Sequence, residues 1–182
     1  QNYPALESYD TARQQLLSAK PLLRMGALNM LAFLPLNDRW ELISPALKDP
    51  VGAVRNEATR LLLGIPGLSE EDQRLLDANT GKFITALMVS ADMPMGQISL
   101  AAVYLGQGKP AKAEKAYRHA LILDSKAVGA WLNLADLYRS QRQEGSALST
   151  LSDAQVLLPD SAVVSYSLGL AQVRNQQWIK AL

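Results

Sequence analysis

The sequence predicts an all-α protein built as a solenoid of stacked helix pairs, and three observations support this fold class. A set of residues recurs at a spacing of 34 along the second half of the chain. The first half consists of apolar segments of helical length that are separated by prolines. Leu and Ala are abundant whereas aromatic residues make up only 6% of the chain, and this composition favours helix over sheet.

The first half is predicted to contain four helices. Residues 5–19 are weakly periodic, and residues 22–34 are apolar on nearly all sides, so we expect this second helix to pack on more than one side. Residues 40–47 place their apolar side chains at helical spacing and form the third helix. The fourth starts at Asp49-Pro50 and runs to about Gly64, because proline is tolerated in the first turn of a helix.

Residues 69–90 are predicted to form one long helix. Ser69 can cap its start, and the next three residues are acidic, where the positive end of the helix dipole favours negative charge. We therefore interpret these carboxylates as helix-start charges rather than as a metal or acid–base site. The three residues are Glu70, Glu71 and Asp72.

The 34-residue period is clearest after residue 94. Two successive segments carry large, small and aromatic residues at matching offsets, namely Leu100/Leu134, Ala101/Ala135, Tyr104/Tyr138, Ala113/Ala147, Tyr117/Leu151 and Ala120/Ala154. The predicted helices span residues 94–107, 110–123, 128–141, 144–157 and 162–175. The predicted turns fall at residues 107–109, 140–142 and 175–177.

This pattern resembles the tetratricopeptide repeat, a helix–turn–helix unit of 34 residues. The resemblance implies a right-handed superhelical solenoid with units at about 94–127, 128–161 and 162–182. The third unit stops after the opening of its second helix, and the chain begins without Met. We therefore expect the chain to be a piece of a longer protein.

Residues 1–68 contain a looser repeat. Five residues, Arg24, Ala27, Leu31, Leu34 and Pro35, recur 31 positions later as Arg55, Ala58, Leu62, Ile65 and Pro66. Asp49-Pro50 followed by Val54-Arg55 resembles the second helix of a HEAT-type repeat, where an aspartate and an arginine brace the turn. The resemblance predicts a HEAT-like region over residues 1–68 and a tetratricopeptide region over residues 69–182.

Composition argues against several functional classes. The net charge is +1, without the concentrated basic face that nucleic acid would require. No apolar run approaches the roughly 20 residues of a membrane-spanning helix, so membrane insertion is not expected. The chain has no Cys, which excludes disulfides, thiolate catalysis and cysteine-bound metal within it.

The sequence predicts neither catalysis nor a cofactor. His119 is the only histidine, it is expected at the surface, and no orienting partner for a general base can be named. The glycines form no phosphate-binding motif. A basic ribbon at spacing three is interpreted as a solvated face rather than a phosphate site; it consists of Lys109, Lys112, Lys115 and Arg118.

The resemblance also assigns a candidate binding surface, since the first helix of each tetratricopeptide unit lines a concave groove. The predicted partner-binding residues are Met95, Ile98, Leu132, Asn133, Asp136, Arg139, Tyr166 and Leu170. Asn133 matches one position of the carboxylate clamp found in chaperone-binding members, but Ala102 and other residues at the remaining positions exclude a clamp. An alternative for Ile98 and Tyr166 is packing against a neighbouring helix.

Together these features predict a non-catalytic module that binds a peptide or a partner protein in this groove, or acts as a scaffold. The incomplete last unit also predicts self-association through an exposed apolar patch. That patch would contain Leu168, Leu170, Trp178 and Leu182.

An alternative function belongs to a different class. Proline-separated helices that lead through Ala-Asp-Met-Pro-Met-Gly-Gln into the repeats resemble the haem-free tail region of some exported bacterial multihaem cytochromes. No Cys-x-x-Cys-His motif occurs in the chain, so the resemblance covers the repeats alone. This alternative predicts a periplasmic location, whereas the interaction module alone predicts a cytoplasmic one.

Overall fold

The protein is described by a computed structural model that covers residues 4–181, with side chains described for residues 9–175. Every regular element between residues 4 and 181 is helical, as the sequence predicts. The chain divides into two compact units between Ala86 and Leu87. The predicted division at residues 68/69 differs from this one by a single helix, and the HEAT-like assignment of residues 1–68 stays a prediction.

Ten α-helices follow one another in the described part of the chain. Those that begin in the first unit are α1 (Pro4–Leu16), α2 (Pro21–Leu31), α3 (Trp40–Ile43), α4 (Gly52–Leu62) and α5 (Glu70–Met88). Those of the second unit are α6 (Pro94–Gly106), α7 (Pro110–Leu123), α8 (Val128–Ser140), α9 (Glu144–Leu157) and α10 (Ala162–Ala181).

The core of the first unit contains large aliphatic side chains from α2, α3 and α4, with the alanines Ala12, Ala27 and Ala58 buried among them. Its fully buried members include Leu28, Leu31, Ile43 and Leu62. The prediction that the second helix packs on more than one side is wrong for its first turn, because the side chain of Leu22 is 84% exposed. The short α3 gives way to a 3-10 helix at Ser44–Lys48, where Pro45 lacks the amide hydrogen that would continue an α-helix.

A buried ion pair joins the start of α2 to the segment before α4. Arg24 donates from Nε to Asp49 Oδ2 at 2.6 Å and from Nη2 to Oδ1 at 2.9 Å. The resemblance to a HEAT unit implied that Asp49 and Arg55 brace this turn, and Arg55 donates to the backbone carbonyl of Asp49 at 2.6 Å. The Asp49 carboxylate is therefore bound by Arg24 of α2 rather than by Arg55 of α4.

Helix α5 begins with the predicted cap. The hydroxyl of Ser69 accepts a hydrogen bond from the backbone amide of Asp72 at 3.1 Å and donates to the Asp72 carboxylate at 2.8 Å. Glu70 pairs with Arg74 one turn later, at 2.9 Å. The hydrogen bonds and the ion pair of Ser69, Glu70 and Asp72 are therefore those expected at the start of a helix.

In the second unit, α6 to α9 begin at the predicted residues and end within one residue of the predicted ends. The turns that join each pair contain one residue of positive φ: Gly108 (φ +66°) between α6 and α7, and Arg142 (φ +61°) between α8 and α9. Short loops of this kind make consecutive helices antiparallel. Each helix packs on the next one, and α8 also contacts α6 and α10.

The third predicted turn does not form. Helix α10 continues from Ala162 to Ala181 through residues 175–177, so the separate second helix predicted for the last unit is wrong. Gln176 lies one period after Arg142, but residues 175–177 contain neither glycine nor proline to end the helix. The side chains of Trp178 and Leu182, predicted to join an exposed apolar patch, lie outside the described part of the chain.

Candidate partner-binding groove

One side of α8 opens onto a cavity of about 230 Å³ between α8, α9 and α10, which we call the inner groove. Four of the eight predicted binding residues line it, namely Leu132, Asp136, Arg139 and Leu170. They meet because α8 and α10 begin neighbouring units and lie side by side. The remaining lining residues come from the same three helices and are Ala135, Glu144, Ala147, Leu151, Ser167, Ala171 and Arg174.

The floor of the inner groove is apolar and closely packed. Ala135, Ala147, Leu151 and Ala171 are each buried to at least 94% in the core of this unit. Three of these four residues are alanines, so the helices approach closely while the side chains leave space above them. A ligand in this space would bury apolar atoms against a surface that is already fixed.

The rim of the inner groove is charged. Arg139 donates from Nε and Nη2 to Asp136 Oδ1 at 3.1 and 3.0 Å, and both side chains are about half exposed or more. Glu144 is half-buried and Arg174 is exposed, and neither forms an ion pair with any residue whose side chain is described. The rim therefore presents one unpaired anion and one unpaired cation.

The carboxylate of Asp136 also affects the pKa of Tyr117 in the neighbouring helix α7. Burial and, after it, the proximity of Asp136 raise the pKa of Tyr117 in α7 above its ordinary value. Tyr117 is 2% exposed and belongs to the same core as Ala135. Its phenol is therefore neutral at all ordinary pH values and serves packing.

The other four predicted residues do not line the inner groove. Met95 and Tyr166 are 67% and 69% exposed, whereas Ile98 packs on the core close to Gly129, as the alternative for it proposed. Asn133 is half-buried on α8 and makes no side-chain hydrogen bond within the described residues. The structure therefore separates the predicted set into a cluster of four and four dispersed positions.

Sequence reasoning missed the two unpaired charges of the rim. Glu144 is the first residue of α9, which is the second helix of its unit. Arg174 lies on α10, one residue before the last described side chain. The predicted groove positions lie at fixed offsets on the first helix of each unit, and neither residue occupies such an offset. The only local signal is that each is a charged residue next to a predicted turn.

Another side of α8 opens onto a larger cavity of about 540 Å³ between α7, α8 and α9, which we call the outer groove. A hydrogen-bonded cluster joins α7 and α8 there. Tyr138 donates its hydroxyl to Glu114 at 2.7 Å and accepts from Arg118 at 2.7 Å, while Arg118 donates to Glu114 at 3.0 Å. These bonds, from Tyr138 first and then Arg118, hold the pKa of Glu114 below its ordinary value although burial opposes this.

A third cavity, of about 310 Å³, lies in the first unit between α1 and α3. Leu16, Leu42 and Ala46 line it together with Asp49. The Asp49 carboxylate accepts hydrogen bonds from Arg24 and from the backbone amide of Val51, the latter at 2.8 Å. Asp49 therefore offers no free carboxylate to this cavity. The exposed side chains of Arg13 and Glu41 also line this cavity.

No cluster of three or more His, Cys, Asp or Glu that could hold a metal ion occurs among the described residues. His119 is exposed on α7, as predicted, and makes no hydrogen bond with another described residue. Among the described helices, none combines the length and apolar character needed to cross a membrane.

Comparison with known proteins gives one family match. The family model described as tetratricopeptide repeat matches residues 94–137, which contain α6, α7 and most of α8. A search of the curated proteins found no match. The family match therefore covers the first complete unit and the start of the next.

One solved structure similar to this chain is described as "Assembly Chaperone of RpL4 (Acl4) (Residues 1-338)". The sequences are 19% identical, the match covers 97% of this chain, and the TM-score is 0.43. The chain spans 58% of the length of that structure, and a likeness of this degree assigns no function. The family match over residues 94–137, together with the antiparallel helix pairs α6–α7 and α8–α9, supports a tetratricopeptide-type helical repeat in this part of the second unit.

Proposed function

We propose that the chain is a non-catalytic interaction module whose second unit binds a peptide segment of a partner protein in the inner groove. The tetratricopeptide repeat supports a role in protein–protein interaction or scaffolding, because such repeats present extended surfaces rather than enclosed reaction sites. The observation that carries the finer proposal is the inner groove itself, an apolar floor bordered by an unpaired anion and an unpaired cation.

The size of the inner groove sets the class of ligand. Its volume of about 230 Å³ is below the range of roughly 300–1,000 Å³ that encloses drug-sized ligands and cofactors. It suits one large apolar side chain, with the rest of a peptide lying along α8 and α10. Leu132 and Leu170 would contact this side chain from the two helices.

The rim sets the charge pattern of the peptide. Glu144 favours a basic group on the peptide, and Arg174 favours an acidic group. Because α9 and α10 are antiparallel, the start of α9 and residue 174 of α10 lie towards the same end of the groove. Asp136 and Arg139 neutralise each other and would contribute shape more than charge. The preferred segment is therefore an apolar anchor residue with a basic and an acidic residue on the same side of it.

Peptide selection tests this proposal directly. Random peptides displayed on phage are selected on the immobilised 182-residue chain, and enriched peptides are measured by calorimetry against variants. Leu170→Asp is expected to abolish binding, because a charge at this partly exposed position must be desolvated under the peptide anchor. Gln172→Asp places the same charge on an exposed position of α10 outside the groove and should leave binding unchanged.

The proposal fails if no peptide is enriched, or if enriched peptides bind Leu170→Asp as tightly as the parent chain. Leu170 is preferred to Leu132 for this test because Leu132 packs on the core, and a charge there would also destabilise the fold. Circular dichroism of each variant checks that the helical content is retained. The alternative of a cytochrome tail region stays a prediction, since nothing in the described residues bears on haem.

A further inference from the structure

Helix α10 exposes a row of large apolar side chains, which we call the α10 stripe. Their spacing of three, four and three residues places them within about a quarter of the helix circumference. The buried residues Val164 and Ala171 lie on another side of the same helix. The core of the second unit therefore leaves the stripe largely uncovered. Its four members are each 37–69% exposed and are Val163, Tyr166, Leu170 and Val173.

The spacing of the α10 stripe favours another helix as its occupant. Apolar residues that alternate at intervals of three and four form the seam through which two helices interlock their side chains. The side chains of an extended peptide repeat every two residues, so an extended peptide would match this seam poorly. We therefore expect the occupant to be a helix that lies along α10.

Each end of the α10 stripe carries one charge without a partner. Asp160 is exposed in the loop two residues before α10, and Arg174 is exposed next to Val173. Neither charge forms an ion pair with any residue whose side chain is described. A separation of 14 positions corresponds to about 21 Å along a helix, so the two charges of one chain do not meet each other.

We propose that the α10 stripe docks a second copy of this chain, so that the two α10 helices form an antiparallel pair. The two-fold axis crosses the helices at the level of residue 168, midway between the ends of the stripe. Val163 of each copy then meets the partner's Val173, and Tyr166 meets the partner's Leu170. Because the axis is two-fold, every contact is made twice.

Charge complementarity favours a second copy over an unrelated helix. Antiparallel pairing brings Arg174 of each copy to the start of the partner's α10, where Asp160 lies, so an ion pair forms at each end of the seam. Parallel pairing would instead place Asp160 near Asp160 and Arg174 near Arg174. An unrelated helix would need the same apolar spacing, with a cation at one end and an anion at the other. The reversed α10 already has all three features.

This inference does not depend on the proposed peptide site, although the two surfaces adjoin. Leu170 and Arg174 line the inner groove and also take part in the proposed dimer, so a bound peptide and a second copy would compete for them. Tyr166 and Asp160 do not line the inner groove. The first variants therefore change these two residues, and loss of the dimer can be separated from loss of the peptide site.

Sedimentation equilibrium of the 182-residue chain tests for the dimer. A standard interface involves roughly 20–30 residues on each side, so a single pair of helices predicts a weak dimer that forms between micromolar and millimolar concentration. Tyr166→Asp should raise the dissociation constant by at least about tenfold, because the pairing would bury the new charge twice. Gln172→Asp is the matched control on another exposed side of α10 and should leave the constant unchanged.

Charge reversal tests the pairing of the helix ends. Asp160→Arg should weaken the dimer by about tenfold, because it places two cations together at each end of the seam. Arg174→Asp should weaken it in the same way by placing two anions there. The double variant with both changes should restore the dissociation constant of the parent chain, since each anion again meets a cation. A loss caused by damage to either monomer would not be restored.

Disulfide formation tests the direction of the helices, because the chain has no Cys of its own. Val163→Cys and Val173→Cys are mixed under mild oxidation, and the mixed disulfide is expected to form faster than the disulfide of either variant alone. Val163→Cys mixed with Gln172→Cys is the control, because residue 172 faces away from the seam.

Four outcomes would overturn the proposal. The first is a chain that stays monomeric up to millimolar concentration, and the second is a dimer that tolerates Tyr166→Asp and therefore uses another surface. The third is a double charge variant that binds no better than the single ones, which would contradict the pairing of Asp160 with Arg174. The fourth is a Val163→Cys variant that cross-links to itself faster than to Val173→Cys, which would indicate parallel helices.

Discussion

The two units of this chain fill their interiors with side chains of different size. In the first unit the fully buried side chains include Leu28, Leu31 and Leu62, and a buried ion pair accompanies them. In the second unit many of the buried positions are alanines, among them Ala113 and Ala154, each with no exposed area. Alanines such as Ala27 and Ala58 are buried in the first unit as well, but they form a larger share of the second core, which therefore depends more on helices that approach closely.

This difference decides which substitutions each unit tolerates. A core of large residues is weakened when a side chain or its charge partner is removed, whereas a core of small residues is weakened when a side chain is enlarged. The 34-residue period reflects the requirement for small side chains in the second unit, because its alanines recur at fixed offsets. The following predictions test the comparison, starting with the largest expected effect.

Removal of the Asp49 carboxylate should affect stability most. Asp49→Ala leaves the Arg24 guanidinium, whose side chain is 10% exposed, without its carboxylate, and loss of one partner of a buried pair costs about 3–5 kcal/mol. Urea unfolding followed by circular dichroism measures this loss, and hydrogen exchange of the α2 amides assigns it to the first unit. Asp38→Ala, at an exposed site in the same unit, should cost almost nothing.

The same ion pair makes stability depend on pH. Burial by itself would raise the pKa of Asp49, but the hydrogen bonds from Arg24 and the Val51 amide dominate and hold it below its ordinary value. The unfolded chain therefore binds this proton more readily, so the stabilisation is complete above about pH 4 and is lost as pH falls through the lower, folded pKa. Asp49→Asn should flatten this part of the stability profile; an unchanged profile would contradict the assignment.

Enlargement of a second-unit alanine should have an intermediate effect that depends on the position. Ala154→Leu should lower stability by about 1–3 kcal/mol, because Ala154 is fully enclosed. Ala135→Leu should cost less, since Ala135 adjoins the inner groove and a larger side chain can extend into that cavity. Thermal melts of the two variants give the comparison, and an equal cost would mean that the inner groove is closed in solution.

The smallest effect is expected at the two inter-helix turns. Gly108→Ala should destabilise by about 1 kcal/mol, because a positive φ strains any residue with a Cβ. Arg142→Gly should be neutral or slightly stabilising, since it relieves the strain at φ +61° but adds freedom to the unfolded chain. If both changes destabilise by the same amount, side-chain contacts of Arg142 rather than backbone strain control the second turn.

Much of the second unit could be predicted from the sequence because its signals are local and repeated. Prolines in the first turns of α6 and α7, Gly108 and the period of small residues fix where the helices begin and end. The cap at Ser69 was predicted for the same reason, since it depends on residues within one turn. The turn at residues 175–177 was wrongly predicted because it was placed by analogy with the earlier units, without a local breaker.

The sequence by itself determined the helical class, the boundaries of α6 to α9 and the positions where only a small side chain fits. These follow from backbone propensity and period, which act between residues close in the chain. Only the tertiary structure decided that Asp49 pairs with Arg24, that Glu144 and Arg174 border the inner groove, and that Met95 and Tyr166 lie outside it. Those relations join separate helices, and they depend on how far and at what angle helices pack, which a one-dimensional pattern does not encode.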